Sequence, residues 1–433
     1  MVMKKFTRRQ TLKTILPATL AFSLPTIIPA RAFGANDRIR IGVIGFNSRG
    51  KDHIKNFMKL EDVEVATLCD VDQRVLGVAA ADFEKTYNKK VQTASDLRKV
   101  FEDKNIDAVS IATPNHWHAL ATVWACQAGK DVYVEKPASH TFSEGRIMIE
   151  AAKKYNRIVQ NGIQLRSSEA IREGIQHLRD GLIGKVYMAR GVVFKWRPDI
   201  GNKGNSPVPE GLDWDLWQGP APARPFSENY VHYNWHWFWD YGNGDIGNQG
   251  AHEIDLCTWG LDVGFPEEIT STGGKFLWND CKETPELMTT TFKYPKEGKI
   301  IQFEVRPWMT NREDNLEVGN IFYGDKGYMT ISWYDNYQTF LGQKREPGPS
   351  RKAGGDHYKN FIDAVRSRDK SILNGPIETG HVSAGISHLA NISFRLGRSL
   401  KFDPRAEKFI SDAPANAMLS RKYRSPFHLP EKI

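Results

Sequence analysis

One rhythm recurs from Arg38 to Pro137: a short apolar run, a turn, then a helical pattern leading to the next run. The runs are "RIRIGVIG", "VEVATLCDVD", "DAVSIATP" and "DVYVEKP". Strands that alternate with helices in units of this length form a parallel, doubly wound sheet, and ligands of such sheets gather at the carboxyl ends of the strands. The loops after the third and fourth runs are therefore expected to face a ligand. They carry Thr113, Pro114, Asn115 and His118 in one case and Glu135 and Lys136 in the other.

The first turn runs Gly45, Phe46, Asn47, Ser48, Arg49, Gly50 and approximates GxGxxG, with Asn47 at the middle glycine. Asn is the next best residue for a left-handed backbone. N–H groups at the start of the following helix would meet a pyrophosphate, helped by the helix dipole. Asp70 lies twenty residues after Gly50 at the end of the second run. A carboxylate there accepts hydrogen bonds from both ribose hydroxyls and repels a 2′-phosphate, so NAD is expected in preference to NADP. Arg49 and Arg74 are basic neighbours that soften this preference. Lys136 is the expected proton-handling group. An ammonium beside a nicotinamide hydrogen-bonds a substrate hydroxyl and, with its pKa lowered by the positive ring, helps to take the proton.

The amino terminus reads differently. Up to Ala32 the chain has six basic residues, Arg8 and Arg9 among them, no acidic one, an apolar stretch and "ARA". This pattern predicts a twin-arginine signal peptide cleaved near Ala32, which sends the chain through the export machinery for folded proteins to the periplasm or cell exterior. Prolines interrupt the apolar stretch, so stable membrane insertion is not expected. Of the formal charge of +8, six units belong to that segment, leaving about +2 on 401 residues. No nucleic-acid partner is expected from so small a charge. Cys69, Cys126, Cys257 and Cys281 are scattered and predict no disulfide framework.

With "TPNHWH" at Thr113 and "EKP" at Glu135, the chain resembles the glucose-fructose oxidoreductase, inositol dehydrogenase and MocA (Gfo/Idh/MocA) family. The resemblance extends from roughly Arg38 to Leu400 and includes "VQNGIQLR" at Val159, "GNGDIGNQGAHEID" at Gly242 and "HYKNFIDAVRSR" at His357. It implies an α/β Rossmann domain followed by an α+β domain whose open, mainly antiparallel sheet often builds a homo-oligomer, a dimer or tetramer. It also implies hydride chemistry on a sugar, with Gln164 among the cofactor-side residues. The expected division is signal peptide 1–32, NAD-binding domain 33–155, substrate and oligomerisation domain 156–400 and an extended tail 401–433.

The second domain also reads on its own terms. "KVYMARGVVF", "EEITSTGGKF", "MTTTFKY", "KIIQFEVRPW" and "GYMTISWY" are strand-like pieces separated by turns, as in an antiparallel sheet. "REPGPSRKAGGD" from Arg345 reads as a surface loop. The stretch from His232 to Leu261 is rich in His, Trp and acid, suited to the apolar faces and hydroxyls of a sugar ring. Here the family pattern of Asp and His one helical turn apart is represented by Asn248 and His252. Asn cannot take a proton, so His252 is the alternative base, near neutrality, with Glu253 or Asp255 to orient it. Arg166, His236, Asn248 and His252 are the expected sugar contacts. The pairs His116/His118 and His232/His236 lack a third ligand from a fixed motif, and no metal is expected.

A periplasm offers little free NAD, so an exported enzyme of this type is expected to hold its dinucleotide tightly through the cycle. Three functions remain open: a sugar oxidoreductase, an NAD-assisted glycosidase acting through transient C3 oxidation and elimination, and a non-catalytic sugar- or cofactor-binding module, which Asn248 keeps in contention.

Overall fold

The computed structural model describes residues 38–308, 312–430 and 433. The expected signal peptide lies outside the described residues. Ile39–Ile44 (β1), Arg49–Phe57 (α1), Val63–Cys69 (β2), Gln73–Tyr87 (α2), Gln92–Ala94 (β3), Leu97–Glu102 (α3), Ala108–Ile111 (β4), Asn115–Gln127 (α4), Asp131–Val134 (β5), Phe142–Lys154 (α5) and Val159–Asn161 (β6) alternate as the apolar rhythm predicts. The six strands form one sheet in the order β3-β2-β1-β4-β5-β6, parallel throughout. β4 and β5 are buried at every position because helices cover both faces. Side-chain caps set several helix starts: Asp72 accepts from the Arg74 N–H, Asp96 from the Arg98 N–H, and Thr141 with Glu144 forms a capping box. The sixth strand lies beyond residue 155, so the parallel sheet runs past the boundary expected there.

The second domain holds Glu169–Arg179 (α6), Val186–Phe194 (β7), Trp214–Gln218 (α7), Gly244–Asn248 (α8), Gly250–Leu261 (α9), Glu268–Gly274 (β8), Leu287–Tyr294 (β9), Lys299–Arg306 (β10), Val318–Gly324 (β11), Gly327–Ser332 (β12), Asn336–Leu341 (β13), Glu346–Lys352 (β14), His357–Ser367 (α10), Ile377–Leu396 (α11), Leu400–Asp403 (β15), Lys408–Phe409 (β16) and Ala413–Ala417 (α12). Its ten-stranded sheet runs β14-β13-β12-β11-β7-β10-β9-β8-β15-β16 and is antiparallel except where β7 pairs with β10. Alternating burial along β9 and β10 leaves one face on the core and one open. The core face packs on α6, α9 and α11 through Ile171, Ile254, Leu256, Ile301 and Leu389.

Two expectations are corrected here. The segment read as a loop after Arg345 is the edge strand β14, paired with β13. Pro347 and Pro349 fit there because an edge strand needs no donor on its outer side. The residues after Lys401 are not an extended tail. They form β15, β16 and α12, and Phe427 and Leu429 enter the core of the first domain.

A long excursion between β7 and α8 returns to the first domain. Gln73 N–H donates to the Gly211 oxygen at 2.8 Å, Asp213 N–H to the Val71 oxygen at 3.0 Å, and Asp72 forms a β-bridge with Leu212. Trp214, Trp217, Trp235, Trp237 and Tyr241 give the excursion an aromatic core of its own. No helix of the described residues is long and apolar enough to cross a membrane.

Candidate active site

A cleft opens at the carboxyl ends of β1, β2, β4 and β5 and is roofed by the excursion. Gly45, Asn47, Ser48, Arg49, Asp70, Thr113, Pro114, Asn115, His118, Glu135 and Lys136 line its floor, and Trp217, His232, Tyr233, Trp235, His236 and Asn248 its roof. Gly45 has φ +75°, and a Cβ there would stand 3.0 Å from the Ala112 carbonyl. A Cβ on Gly50 would come within 2.0 Å of the Gly45 oxygen. The turn therefore leaves its rim clear for a ligand. Helix α1 begins with no side-chain cap from Ser48, so its first N–H groups are free for an anion. Asn47 does not adopt the left-handed backbone expected of it; Gly45 alone makes that turn.

Asp70 directly follows β2, with one carboxylate oxygen 3.1 Å from the Asp72 N–H and the other 3.4 Å from the Phe46 N–H. Burial pushes its carboxyl upward against those two N–H groups. The Thr113 hydroxyl and the Asn115 side-chain oxygen are buried without protein partners at the same cleft. Donors from an uncapped helix, a ribose-facing acid and unspent polar atoms together fit a dinucleotide. Arg49 is not a basic neighbour of that ribose site. Its guanidinium is spent on Glu135 and Asp52 at 3.1 Å each. Arg74 closes on Asp72.

Several expected cofactor residues turn out to fix the floor rather than reach upward. Glu135, 4% exposed, accepts from Arg49, from Gln164 Nε2 at 3.0 Å and from its own neighbour's Lys136 N–H, and lies 2.9 Å from His53 Nε2. Burial alone would raise its pKa, but Arg49, His53 and Lys136 outweigh burial and hold it well below the ordinary carboxylate range. Gln164 also donates to the Tyr133 hydroxyl and stays beneath the cleft. His118 lies 2.8 Å from the Pro137 oxygen and 2.9 Å from the Thr113 oxygen, tying the β4 and β5 loops together.

Lys136 crosses to the second domain. Its Nζ donates to the Asn248 main-chain oxygen at 2.9 Å and to Asn248 Oδ1 at 3.1 Å. Burial lowers its pKa to about 8, with Arg49 acting in the same direction against Glu135, Asp245 and Glu253. His236 stacks on Trp235 at 3.6 Å between ring centres and faces the cleft. Burial, with Lys136 and Arg197, brings its pKa to about 3, so the ring is neutral.

His252 departs from expectation. It is 3% exposed, does not itself line the cleft, and packs edge-on to Tyr334. Burial and then the positive charge of Lys136 push its pKa well below the ordinary histidine value. Neither proposed orienting acid reaches it. Asp255 accepts from Arg166 at 2.7 Å, and Glu253 accepts from Gln249 at 3.1 Å. The first of these pairs also withdraws Arg166, which lies over the Trp259 ring and is absent from the cleft wall. The physical reason is charge pairing: Asp255 is 1% exposed on α9, and a buried carboxylate takes the guanidinium within its reach.

Sequence reasoning missed three contributors. Asp245, 4% exposed, holds Arg197 with two contacts of 2.7 Å, and Arg197 reaches the Tyr233 hydroxyl. Lys195 donates to Gln249 beside Asn248. His232 reaches Asp72 across the cleft at 3.0 Å. No local spacing announces such pairs, because each joins residues far apart in the chain.

Residues 39–163 match the Gfo/Idh/MocA oxidoreductase family model with an NAD-binding Rossmann fold, and residues 172–273 and 334–429 match that family's C-terminal alpha/beta domain. Levoglucosan dehydrogenase of Pseudarthrobacter phenanthrenivorans is 27% identical over 241 residues, 54% of this chain and 57% of its own. The alpha-N-acetylgalactosaminidase of Shewanella oneidensis is 33% identical over 155 residues, 34% of this chain and 33% of its own. The chain thus spans about half or less of the length of these curated relatives. Among solved structures, the WlbA dehydrogenase of Bordetella pertussis in complex with NADH and UDP-GlcNAcA superposes with a TM-score of 0.65 at 21% identity, covering 84% of this chain and 99% of the other.

Proposed function

Because this chain belongs to the Gfo/Idh/MocA oxidoreductase family, we propose that it is an exported NAD-dependent dehydrogenase of a sugar or sugar derivative which keeps its dinucleotide throughout the cycle. The observation that carries the chemistry is Lys136 at the mouth of the dinucleotide cleft, with a pKa brought to about 8 and two of its protons engaged by Asn248. Bound NAD supplies the hydride acceptor. The chain supplies the rest. Lys136 in its neutral form accepts the hydroxyl proton of the ring carbon being oxidised, and Asn248 orients the amine without competing for that proton. His236 and Trp235 offer a wall for the sugar, and neutral His252 steadies α9 behind Asn248. A sugar substrate is supported by the levoglucosan dehydrogenase and WlbA resemblances.

Export and retention go together in this reading. Arg8, Arg9 and the "ARA" site support passage of the folded chain to the periplasm or cell exterior through the twin-arginine machinery. The roof that crosses from Gly211 to His236 supports retention of a cofactor loaded before export. The open face of the large sheet, with Tyr187 exposed on β7 and Trp196 and Trp308 exposed just past the ends of β7 and β10, supports a homo-oligomer.

A second reading is favoured by the resemblance to the Shewanella glycosidase: transient oxidation at C3, elimination across the glycosidic bond and return of the hydride, with no net redox change. Solvent deuterium in the C2 position of the product is its signature.

The test is Lys136→Met together with the NAD content of the purified protein. Loss of sugar oxidation by roughly 10²-fold or more, the lower range for acid–base catalysis, with NAD still recovered on denaturation, supports the proposal. Retained activity, or an empty protein that does not hold added NAD through gel filtration, overturns it.

A further inference from the structure

Residues 419–430, which follow α12, contain no helix or strand and run back over the first domain as a strap. The Leu419 oxygen accepts from the Ser143 N–H and hydroxyl, and Arg421 and Tyr423 both donate to Glu144 in the first turn of α5. Phe427 and Leu429 are buried in the first-domain core. None of these residues lines the dinucleotide cleft. The helix they hold does.

A helix leaves its last carbonyls without partners of its own. In α7 the floor and the strap divide them. His116 Nε2 lies 2.9 Å from the Trp217 oxygen, and Trp117 Nε1 lies 3.1 Å from both the Leu216 and the Trp217 oxygens. From the strap, Arg424 donates through Nη2 to the Asp215 oxygen at 2.7 Å and through Nε to the Gly219 oxygen at 2.9 Å. Its main-chain N–H adds the Pro220 oxygen at 3.2 Å, and its Nη1 pairs with the Asp215 carboxylate. A cation at this end also suits the helix dipole. Isolated helices below about 12–15 residues are marginal in water, so the five-residue α7 takes its position from such outside contacts. Leu216 and Trp217 carry that position into the cleft wall. Trp117, in the same wall, lies so close under Gly219 that a Cβ there would stand 2.1 Å from its ring, and it meets Phe427 edge-on at 5.5 Å.

We propose that the strap is a clamp: Arg424, as a positioning residue, keeps α7 closed over the dinucleotide cleft, and cofactor exchange requires it to let go. The clamp rests on the proposed retention of NAD and supplies the part that does the retaining. Coupling of this kind is reciprocal, so bound NAD must in turn hold the strap down, although the two do not touch.

Amide hydrogen exchange of the unaltered chain, with saturating NAD and after charcoal stripping, tests that linkage. The Arg424 and Phe427 N–H groups, bonded to the Pro220 and Arg424 oxygens, are expected to exchange at least tenfold more slowly with NAD bound. Equal exchange in the two states overturns the proposal. Arg424→Met keeps an apolar side chain against Phe427 and removes the guanidinium, and is expected to quicken NAD release in a dilution chase at least tenfold. Phe409→Ala, in the core of the second domain, is expected to lower the thermal midpoint and leave release unchanged. Release unchanged in Arg424→Met, or quickened equally by Phe409→Ala, overturns the clamp. A parent chain that loses NAD in gel filtration counts against retention alone, because the exchange measurement is made at saturating NAD and still decides the clamp.

Discussion

The ammonium of Lys136 and the two oxygens of Asn248 meet at 2.9 and 3.1 Å across 112 residues of sequence, joining the ends of a parallel strand and a short helix from different domains. An Nζ so held has one remaining proton direction, and that direction belongs to the cleft. The pairing also puts a neutral amide where the family pattern has a carboxylate, so no negative charge at position 248 holds the lysine in its charged form. Its charge is set instead by burial and by the more distant Glu135, Asp245 and Glu253.

A pH profile follows from this. The amine must be neutral to accept a proton, and its pKa is about 8. Oxidation measured as kcat/KM is therefore expected to rise with pH and level off above about 8, while reduction of the corresponding ketone falls over the same range. His252 and His236, both neutral in this range, add no near-neutral limb. A profile flat from about pH 6 to 9 would contradict the role of Lys136.

Asn248→Asp restores a carboxylate beside the amine. An opposite charge at that distance favours the ammonium, and shifts from such pairs are about 1–3 units. The rising limb of oxidation is expected to move to higher pH by about one unit or more, lowering the rate at neutral pH. If the limb stays in place, the Lys136 amine is not the group being titrated.

The two sheets were legible from period and punctuation: the apolar runs ending at Asp70, Pro114 and Pro137 are β2, β4 and β5 with the turns that follow them. β14 was not, because the Pro and Gly residues that mark loops are also tolerated on an edge. For the site, Lys136 was legible by position, since a strand end over a doubly wound sheet is ligand ground, whereas Asn248 was legible only through the family pattern of Asp and His one turn apart. Arg166 was misread because its fate depends on Asp255, which lies 89 residues away. The Arg197–Asp245 and His232–Asp72 pairs depend on how the excursion folds back, and no local pattern encodes that.

Glu135→Gln tests the floor of the cleft. The change removes the charge that faces Arg49 and His53, and hydrogen bonds to charged groups contribute about 1.5–3 kcal/mol. Because Arg49 is partly exposed, a loss of about 2 kcal/mol is expected by denaturant titration. The sign with pH is definite. Glu135 has a depressed folded-state pKa, so its contribution is present above the ordinary carboxylate pKa and is lost as pH falls through the depressed folded-state value. The variant is expected to lose stability less steeply in acid than the parent, and an equal slope would show that Glu135 is not a linked group.

His232→Ala addresses cofactor retention. His232 lines the roof and reaches Asp72, which is fully buried and caps α2 next to Asp70. Asp72 keeps Arg74 when the imidazole is removed, so the floor is left intact and one side-chain tie between roof and floor is cut. If that tie gates dinucleotide escape, release of NAD in a dilution chase should quicken by about tenfold, equivalent to about 1.4 kcal/mol on the barrier. An unchanged release rate would leave the latch to the other roof contacts, among them the main-chain bonds of Gly211 and Asp213 and the bonds of His116 and Trp117 to the Trp217 oxygen. Those contacts come from a stretch closed by Trp214 and Trp217 packing face to face at 4.7 Å. Trp217→Ala would then be the substitution that frees the cofactor, because it loosens the packing on which both main-chain bonds depend.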